Sequence, residues 1–332
     1  MSEAEVTTAG LHGQRPGREA VPGAKGGRRR RREQTVIPEA EFTSYYGRPI
    51  IKQPTWAALD IAGYLFLGGL AGASSVLAAG AQGTGHRGLA RVSKIGALGA
   101  ITLSAVALIH DLGRPERFAN MLRVFKPTSP MSVGSWILAA YGPAAAVAAG
   151  ADLTGRFSRV GGAATGCAAL AGPAVASYTA VLLANTAVPA WHEAYRELPF
   201  VFVGSAAAAA GGLGMLITPL DQTGPARGAA AFGAALELAA AYRMRRRLGM
   251  LAEPYHTGRS GCLTRAAEIL TAVGGLTGAV AGGRNRVLAA AAGAALLTGS
   301  ALTRMAVFEA GRASAADPKY TVIPQRRATQ TG

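Results

Sequence analysis

The sequence predicts an all-α integral membrane protein of about eight transmembrane helices in two four-helix bundles, preceded by a disordered basic tail. Three observations carry that prediction. Only 16% of the 332 residues are charged, 50% are hydrophobic and the mean hydropathy is +0.23, whereas a soluble chain carries about 25% charged residues. Apolar runs of spanning length recur between short polar segments, at 56–81, 89–111, 133–151, 161–184, 198–220, 226–243, 262–282 and 286–308. The chain also holds 45 glycines and abundant alanine. Such residues bury little area in water, but in lipid they let helix backbones approach closely.

Taken in order, residues 1–44 are Gly, Pro, Arg and Glu with little to bury, which predicts disorder. This tail holds five consecutive arginines, Arg28 to Arg32, and the first 50 residues contain no apolar stretch of the signal-peptide kind. The segment YYGRPIIKQPTW, 45–56, has Pro49, Pro54 and aromatic ends, and reads as extended chain on the membrane surface. A first bundle then spans 45–184 and a second 185–310, with 311–332 as a C-terminal tail. The sixth run is the weakest of the eight, because Glu237 lies in its interior.

Charge sets the expected orientation. With the N-terminus inside, the inner segments hold 26 of the 34 Lys and Arg and the outer loops 8. Cytoplasmic loops carry the cation excess, so both termini are expected in the cytoplasm of a multi-pass cell-membrane protein. The net charge of +16 and pI near 10.7 would suit nucleic acid. The cations, however, sit in the tail and between apolar runs, so membrane lipid is the expected neighbour and nucleic acid is not.

That topology gathers polar side chains at one end of the first bundle. Asp60 and Tyr64 lie near the start of the first helix, His110 and Asp111 close the second, Trp136 opens the third and Tyr178 is in the matching half of the fourth. Over them runs the loop HDLGRPERFANMLRVFKPTSPMSVGSW, 110–136, stiffened by Pro115, Pro127 and Pro130 and carrying Arg114, Arg117, Arg123, Lys126 and Ser129. Asp60 reads either as a first-turn carboxylate favoured by the helix dipole or as a polar group beside a ligand, since acids within membranes usually face a cavity, a partner or a proton path. Asp111 and Arg114 are three apart, close enough for a salt bridge that braces the loop. Trp136 suits an interfacial anchor and Tyr178 a packing residue equally well. Glu237 is expected to pair with Arg243 or a nearby arginine, and Glu268 to sit beside Arg265.

Several chemistries are excluded. Cys167 and Cys262 lie in separate apolar runs without metal-ligand spacing, and of His12, His86, His110, His192 and His256 only His110 touches a membrane run. Haem held between helices needs facing histidine pairs, and an iron–sulfur cluster four clustered cysteines, so no metal site is expected in this chain. Neither a Walker A nor a G-x-S-x-G sequence is present. Any electron transfer would have to borrow its metal centres from another subunit.

The combination of D-L-G-R-P-x-R-F with S-P-M-S-x-G-S-W resembles the membrane subunit of polysulfide reductase and its NrfD-type relatives. So do YYGRPIIKQPTW followed by YLFLGGLAGASS, SYTAVLLANTAVPAW followed by LPFVFVGSA, and the closing DPKYTVIPQR. The resemblance runs from about residue 45 to the C-terminal tail. It implies a haem-free subunit that binds a membrane quinone, menaquinone or ubiquinone, in its first bundle. It also implies an iron–sulfur ferredoxin-like partner and a molybdopterin catalytic subunit. Carried over by position, it assigns quinone contact or proton transfer to Asp60, Tyr64 and Tyr178, beside His110 and Asp111. The loop residues Arg114, Pro115, Arg117, Arg123, Lys126, Ser129 and Trp136 are then expected to roof the headgroup and dock the partner. Two other readings remain: a proton- or ion-translocating subunit using Glu237 and Glu268, and a structural anchor that binds no quinone.

Overall fold

The computed structural model describes residues 5–7, 10–12, 50–54, 56–111 and 120–324. Its body is eight long helices: α1 (Ala58–Gly83), α2 (Arg87–Asp111), α3 (Pro130–Thr154), α4 (Ser158–Ala184), α5 (Leu198–Ile217), α6 (Gly224–Leu248), α7 (Gly258–Val280) and α8 (Arg286–Ala316). They lie where the apolar runs predict them. The largest departure is α8, which continues past residue 308 to Ala316. Within the expected tail, Glu5–Thr7 pairs antiparallel with Gly10–His12.

Helix boundaries follow local chemistry. Ser129 caps α3 by accepting from the Ser132 amide at 3.5 Å, with Pro130 in the first turn, and Gly155 ends that helix in the left-handed region at φ 67°. Asn285 caps α8, its side chain accepting from the amides of Val287 at 2.8 Å and Leu288 at 3.2 Å. Short turns, a helical turn at Pro189–His192 and 3-10 segments at Leu220–Gln222 and Gly249–Tyr255 complete the connections.

Six helices, α1 to α5 and α8, are long and apolar enough to cross a membrane. α6 and α7 are also of spanning length, but Glu237 and Arg245 to Arg247 in α6, and Arg259, Arg265 and Glu268 in α7, dilute their apolar character. The chain is an all-α, multi-pass membrane protein.

The first four helices pack as a group, α1 on α2 and α4, α3 on α2 and α4. The last four do likewise, α5 on α6 and α8, α7 on α6 and α8. α1 and α4 join the halves by packing on α5, and α1 also touches α8. Small residues set the spacing. Gly72 of α1 and Gly172 of α4 meet so closely that a Cβ on either would collide with the other's carbonyl oxygen. One end of the molecule therefore gathers the starts of α1, α3, α5 and α7 with the ends of α2, α4, α6 and α8. This is the entry end below, and the opposite face is the far end.

Candidate functional site

At the entry end the first four helices enclose a cavity of about 90 Å³. Its polar groups are Tyr64 of α1, Asp111 of α2, Ser135 of α3 and Tyr178 of α4. The rest of the wall is apolar, from Trp56 and Leu65 to Met121 and Met131. Tyr64 lies four residues, about 6 Å, deeper than Asp60 along the helix, and only 3% of it is exposed. Tyr178 is 8% exposed, and its hydroxyl is buried with no hydrogen-bond partner among the described residues.

Sequence explains this placement. Ser135 faces inward while its neighbour Trp136 faces out, because successive helix residues turn by about 100°. Trp136 is accordingly exposed and meets Phe125 edge-on, with ring centroids 6.2 Å apart. Gly134 is the seat for Tyr178: a Cβ there would overlap the phenol ring. Trp56, at the mouth, stacks on Trp191 with centroids 6.2 Å apart and planes 12° from parallel. Trp191 is fully buried and donates from Nε1 to the Val307 carbonyl at 2.7 Å, tying the mouth to α8.

The polar residues at the end of α2 clamp α1 rather than each other. Asp111 Oδ1 accepts from the Ala57 amide at 3.1 Å, satisfying a donor that the α1 cap residue itself leaves free. His110 Nδ1 lies 2.8 Å from Asp60 Oδ2. This pair sits at the rim, with His110 largely in solvent, and Asp60 is not among the residues lining the cavity. The expected Asp111–Arg114 brace lies outside the described residues, as do Arg114, Pro115 and Arg117 themselves. Arg123 and Lys126 are exposed on the loop. Ser132 pins that loop to α3, accepting from the Lys126 amide at 3.0 Å and donating to the Val124 carbonyl at 3.0 Å.

A second buried polar cluster lies among the last four helices. Arg304 of α8 is 0% exposed. It donates from Nη2 to the Phe202 carbonyl at 2.8 Å and from Nε to the Leu65 carbonyl at 3.5 Å, and its guanidinium rests 3.9 Å over the Phe202 ring. Glu237 of α6 is 3% exposed and accepts from Thr303 Oγ1 at 2.6 Å and Thr271 Oγ1 at 3.4 Å. Ser205 bonds to Ser300 beside them at 2.8 Å. The expected pairings do not form. Arg243 approaches Glu197 at 3.9 Å instead of Glu237, and Glu268 pairs with Arg245 rather than Arg265, because α6 and α7 face each other there. Arg304 was counted among loop cations in the orientation estimate. It is a core residue, because α8 continues three more turns past it. Its signal was present in the sequence: a lone arginine still inside an apolar run.

No metal-binding group of His, Cys, Asp or Glu occurs among the described residues. The fold and this site define a class: a multi-pass helical membrane protein with a mostly apolar chamber closed by tyrosines at one end. Comparison with known families carries this further. The family model described as polysulphide reductase, NrfD, matches residues 51–154, so this stretch of the chain is similar to that family. It covers α1 to α3 and every chamber residue except those of α4. No curated protein matches the chain.

Proposed function

We propose that the chain is the haem-free membrane subunit of a multi-subunit oxidoreductase, exchanging electrons and protons between a membrane quinone and an iron–sulfur partner. A molybdopterin subunit would hold the substrate site. The observation that carries this reading is the unpartnered Tyr178 hydroxyl, buried at the wall of an otherwise apolar cavity that the first four helices enclose. A buried hydroxyl without a partner costs about 1–3 kcal/mol, a cost that a quinone carbonyl at this position would remove. The fit is chemical. Leu65, Leu108, Leu138 and Leu183 offer flat apolar walls to a ring, while Tyr64 and Tyr178 offer donors at its edge.

The quinone supplies two-electron, two-proton redox chemistry, and the chain's residues hold and orient it. Tyr178 donates to a carbonyl, Tyr64 closes the inner wall, and Trp56 closes the mouth with Trp191 behind it. The Asp60–His110 pair at the rim is placed to pass protons between the chamber and solvent. Arg123 and Lys126 present cations to the docking partner from the loop above, joined in this reading by Arg114, Pro115 and Arg117. With the cation excess of its loops facing the cytoplasm, this end and both termini would lie on the cytoplasmic side of the cell membrane.

The test is a titration of the purified chain with a short-tailed quinone, followed by quenching of Trp56. Tyr178→Phe should raise Kd by roughly two- to tenfold, the worth of one net hydrogen bond. Equal affinity in wild type, Tyr178→Phe and Tyr64→Leu would leave a structural anchor as the better description.

One observation favours a proton-translocating role as a second reading. Glu237 borders a small cavity of about 30 Å³ whose lining also includes Tyr255 and the Arg245–Glu268 pair toward the entry end. Proton uptake by proteoliposomes that is lost in Glu237→Gln, with quinone turnover retained, would favour this role.

A further inference from the structure

The far end of the first four helices holds a cleft of about 510 Å³, unconnected with the chamber chemistry. It is lined by Gln82 of α1, Arg87, Arg91 and Lys94 of α2, Asp152 of α3 and Ser158 at the head of α4. Three cations face one carboxylate. Asp152 receives Lys94 Nζ at 3.1 Å and Arg91 Nε at 3.8 Å, which leaves two positive charges in excess. Lys94 is 7% exposed, so its charge sits away from bulk water. Arg87 has no side-chain partner among the described residues.

The surroundings add to this positive field. α4 begins at the cleft with its first amides uncapped, whereas those of Arg87 and Gly88 in α2 are taken by the Gly85 carbonyl and Gln222 Oε1. The α4 cap residue, Phe157, supplies no side-chain acceptor. Arg286, on the same face in the other half, behaves differently. It donates to the carbonyls of Met215, Leu216 and Thr218 and so closes the end of α5. No such carbonyls occupy the three cations of the cleft.

Apolar surface lies beside the cleft on its membrane side. Ile95 is eight residues, about 12 Å, inward from Arg87, and Val147 is about 8 Å inward from Asp152. Both are exposed, as is Val160 near the head of α4. Cations at the interface with exposed aliphatic side chains beneath them match a molecule with an anionic head and apolar chains.

We propose that this cleft binds a phosphate-class oxyanion, either the headgroup of an anionic phospholipid or free phosphate. The site stands whether or not the entry-end chamber holds a quinone. It is tested with the full chain in neutral detergent, titrated with phosphatidylglycerol, phosphatidylcholine and inorganic phosphate, with the unfolding temperature as readout. Phosphatidylglycerol is expected to stabilise the wild type and phosphatidylcholine not to. The apparent affinity should fall roughly fivefold in Arg87→Gln and roughly 25-fold in the double variant with Arg91→Gln, from about 1 kcal/mol per cation near the headgroups.

The arginine run of the tail also attracts anionic lipid, but it is identical in all three proteins, so the difference reports the cleft. Both substituted residues are exposed, which protects the fold, and the single variant carries the test if the double variant unfolds. Stabilisation by inorganic phosphate with the same arginine dependence supports the site and identifies free anion as a source. Phosphatidylglycerol and phosphate responses unchanged by both substitutions would overturn it.

Discussion

In the first four helices Tyr178 presents a buried hydroxyl to an open cavity and bonds to nothing within the described chain. In the last four, Glu237 and Arg304 are buried at least as deeply, yet Glu237 holds two threonine hydroxyls while Arg304 holds two carbonyls and an aromatic face. Of the Arg304 nitrogens, only Nη1 is left without a partner. Both regions place polarity in a hydrocarbon setting, where it is costly unless answered. The difference lies in what answers it. One region is completed largely by its own side chains and so braces the fold. The other leaves a donor for a molecule from outside.

The contrast is broken most directly at Arg304. Arg304→Ala should lower stability by about 3–5 kcal/mol, since it opens a cavity and leaves the buried Glu237 without a nearby cation. Unfolding in detergent checks this. A loss below about 1 kcal/mol would show that the second region does not brace the helices, and the distinction between the halves would fail.

A smaller effect is expected at Gly134, the seat of the Tyr178 ring. Gly134→Ala forces the ring to move, at a cost of about 1–3 kcal/mol for overpacking, and should weaken quinone binding at the same time. Stability lost with binding unchanged would detach Tyr178 from the ligand. A comparable cost is expected at Glu197, near the entry end, where a buried carboxylate grips Arg247 through contacts of 2.7, 2.8 and 2.9 Å. Its hydrogen bonds to Arg247 hold this carboxyl below the usual glutamate range. A depressed folded pKa gives stability that is present above the unfolded value, near 4.5, and lost as pH falls through the folded one. Wild type should therefore exceed Glu197→Gln by about 1–3 kcal/mol at neutral pH, with the gap closing below about pH 4.5. A gap independent of pH would show that the charge of Glu197 is irrelevant.

Much of this architecture is legible in the sequence because lipid imposes one rule, that spanning backbone must be helical. Apolar length then finds the helices and turn parity assigns their ends. Turn parity alone places Tyr64, Asp111 and Tyr178 at one end. It does not resolve helix phase. Asp60 is one turn from Tyr64 and shares the expected role, yet it turns to the rim and meets His110. Trp136 is adjacent to Ser135 but points the other way. Nor does it resolve tertiary partners: the Glu268–Arg245 pair joins two helices, whereas proximity in sequence favours Arg265. Arg304 escaped because a cation near the end of an apolar run reads as the end of the helix. Here the helix continues, and neighbouring carbonyls take up the charge.

The smallest expected change is also the most discriminating. Tyr178→Phe removes one hydroxyl that no described group bonds, so the unliganded chain should lose no stability. Deleting an unanswered buried donor removes its desolvation cost, and the expected direction is a gain. An Arg304 carbonyl bond or a Glu237–threonine bond cannot be removed on such terms. If Tyr178→Phe instead lost 2 kcal/mol or more in thermal unfolding without quinone, the hydroxyl would have a structural partner, and the chamber would be core of the same kind as the cluster around Arg304. If stability holds and quinone affinity falls, the empty valence of Tyr178 is a property of the binding site, kept open by the packing of α3 against α4 over Gly134.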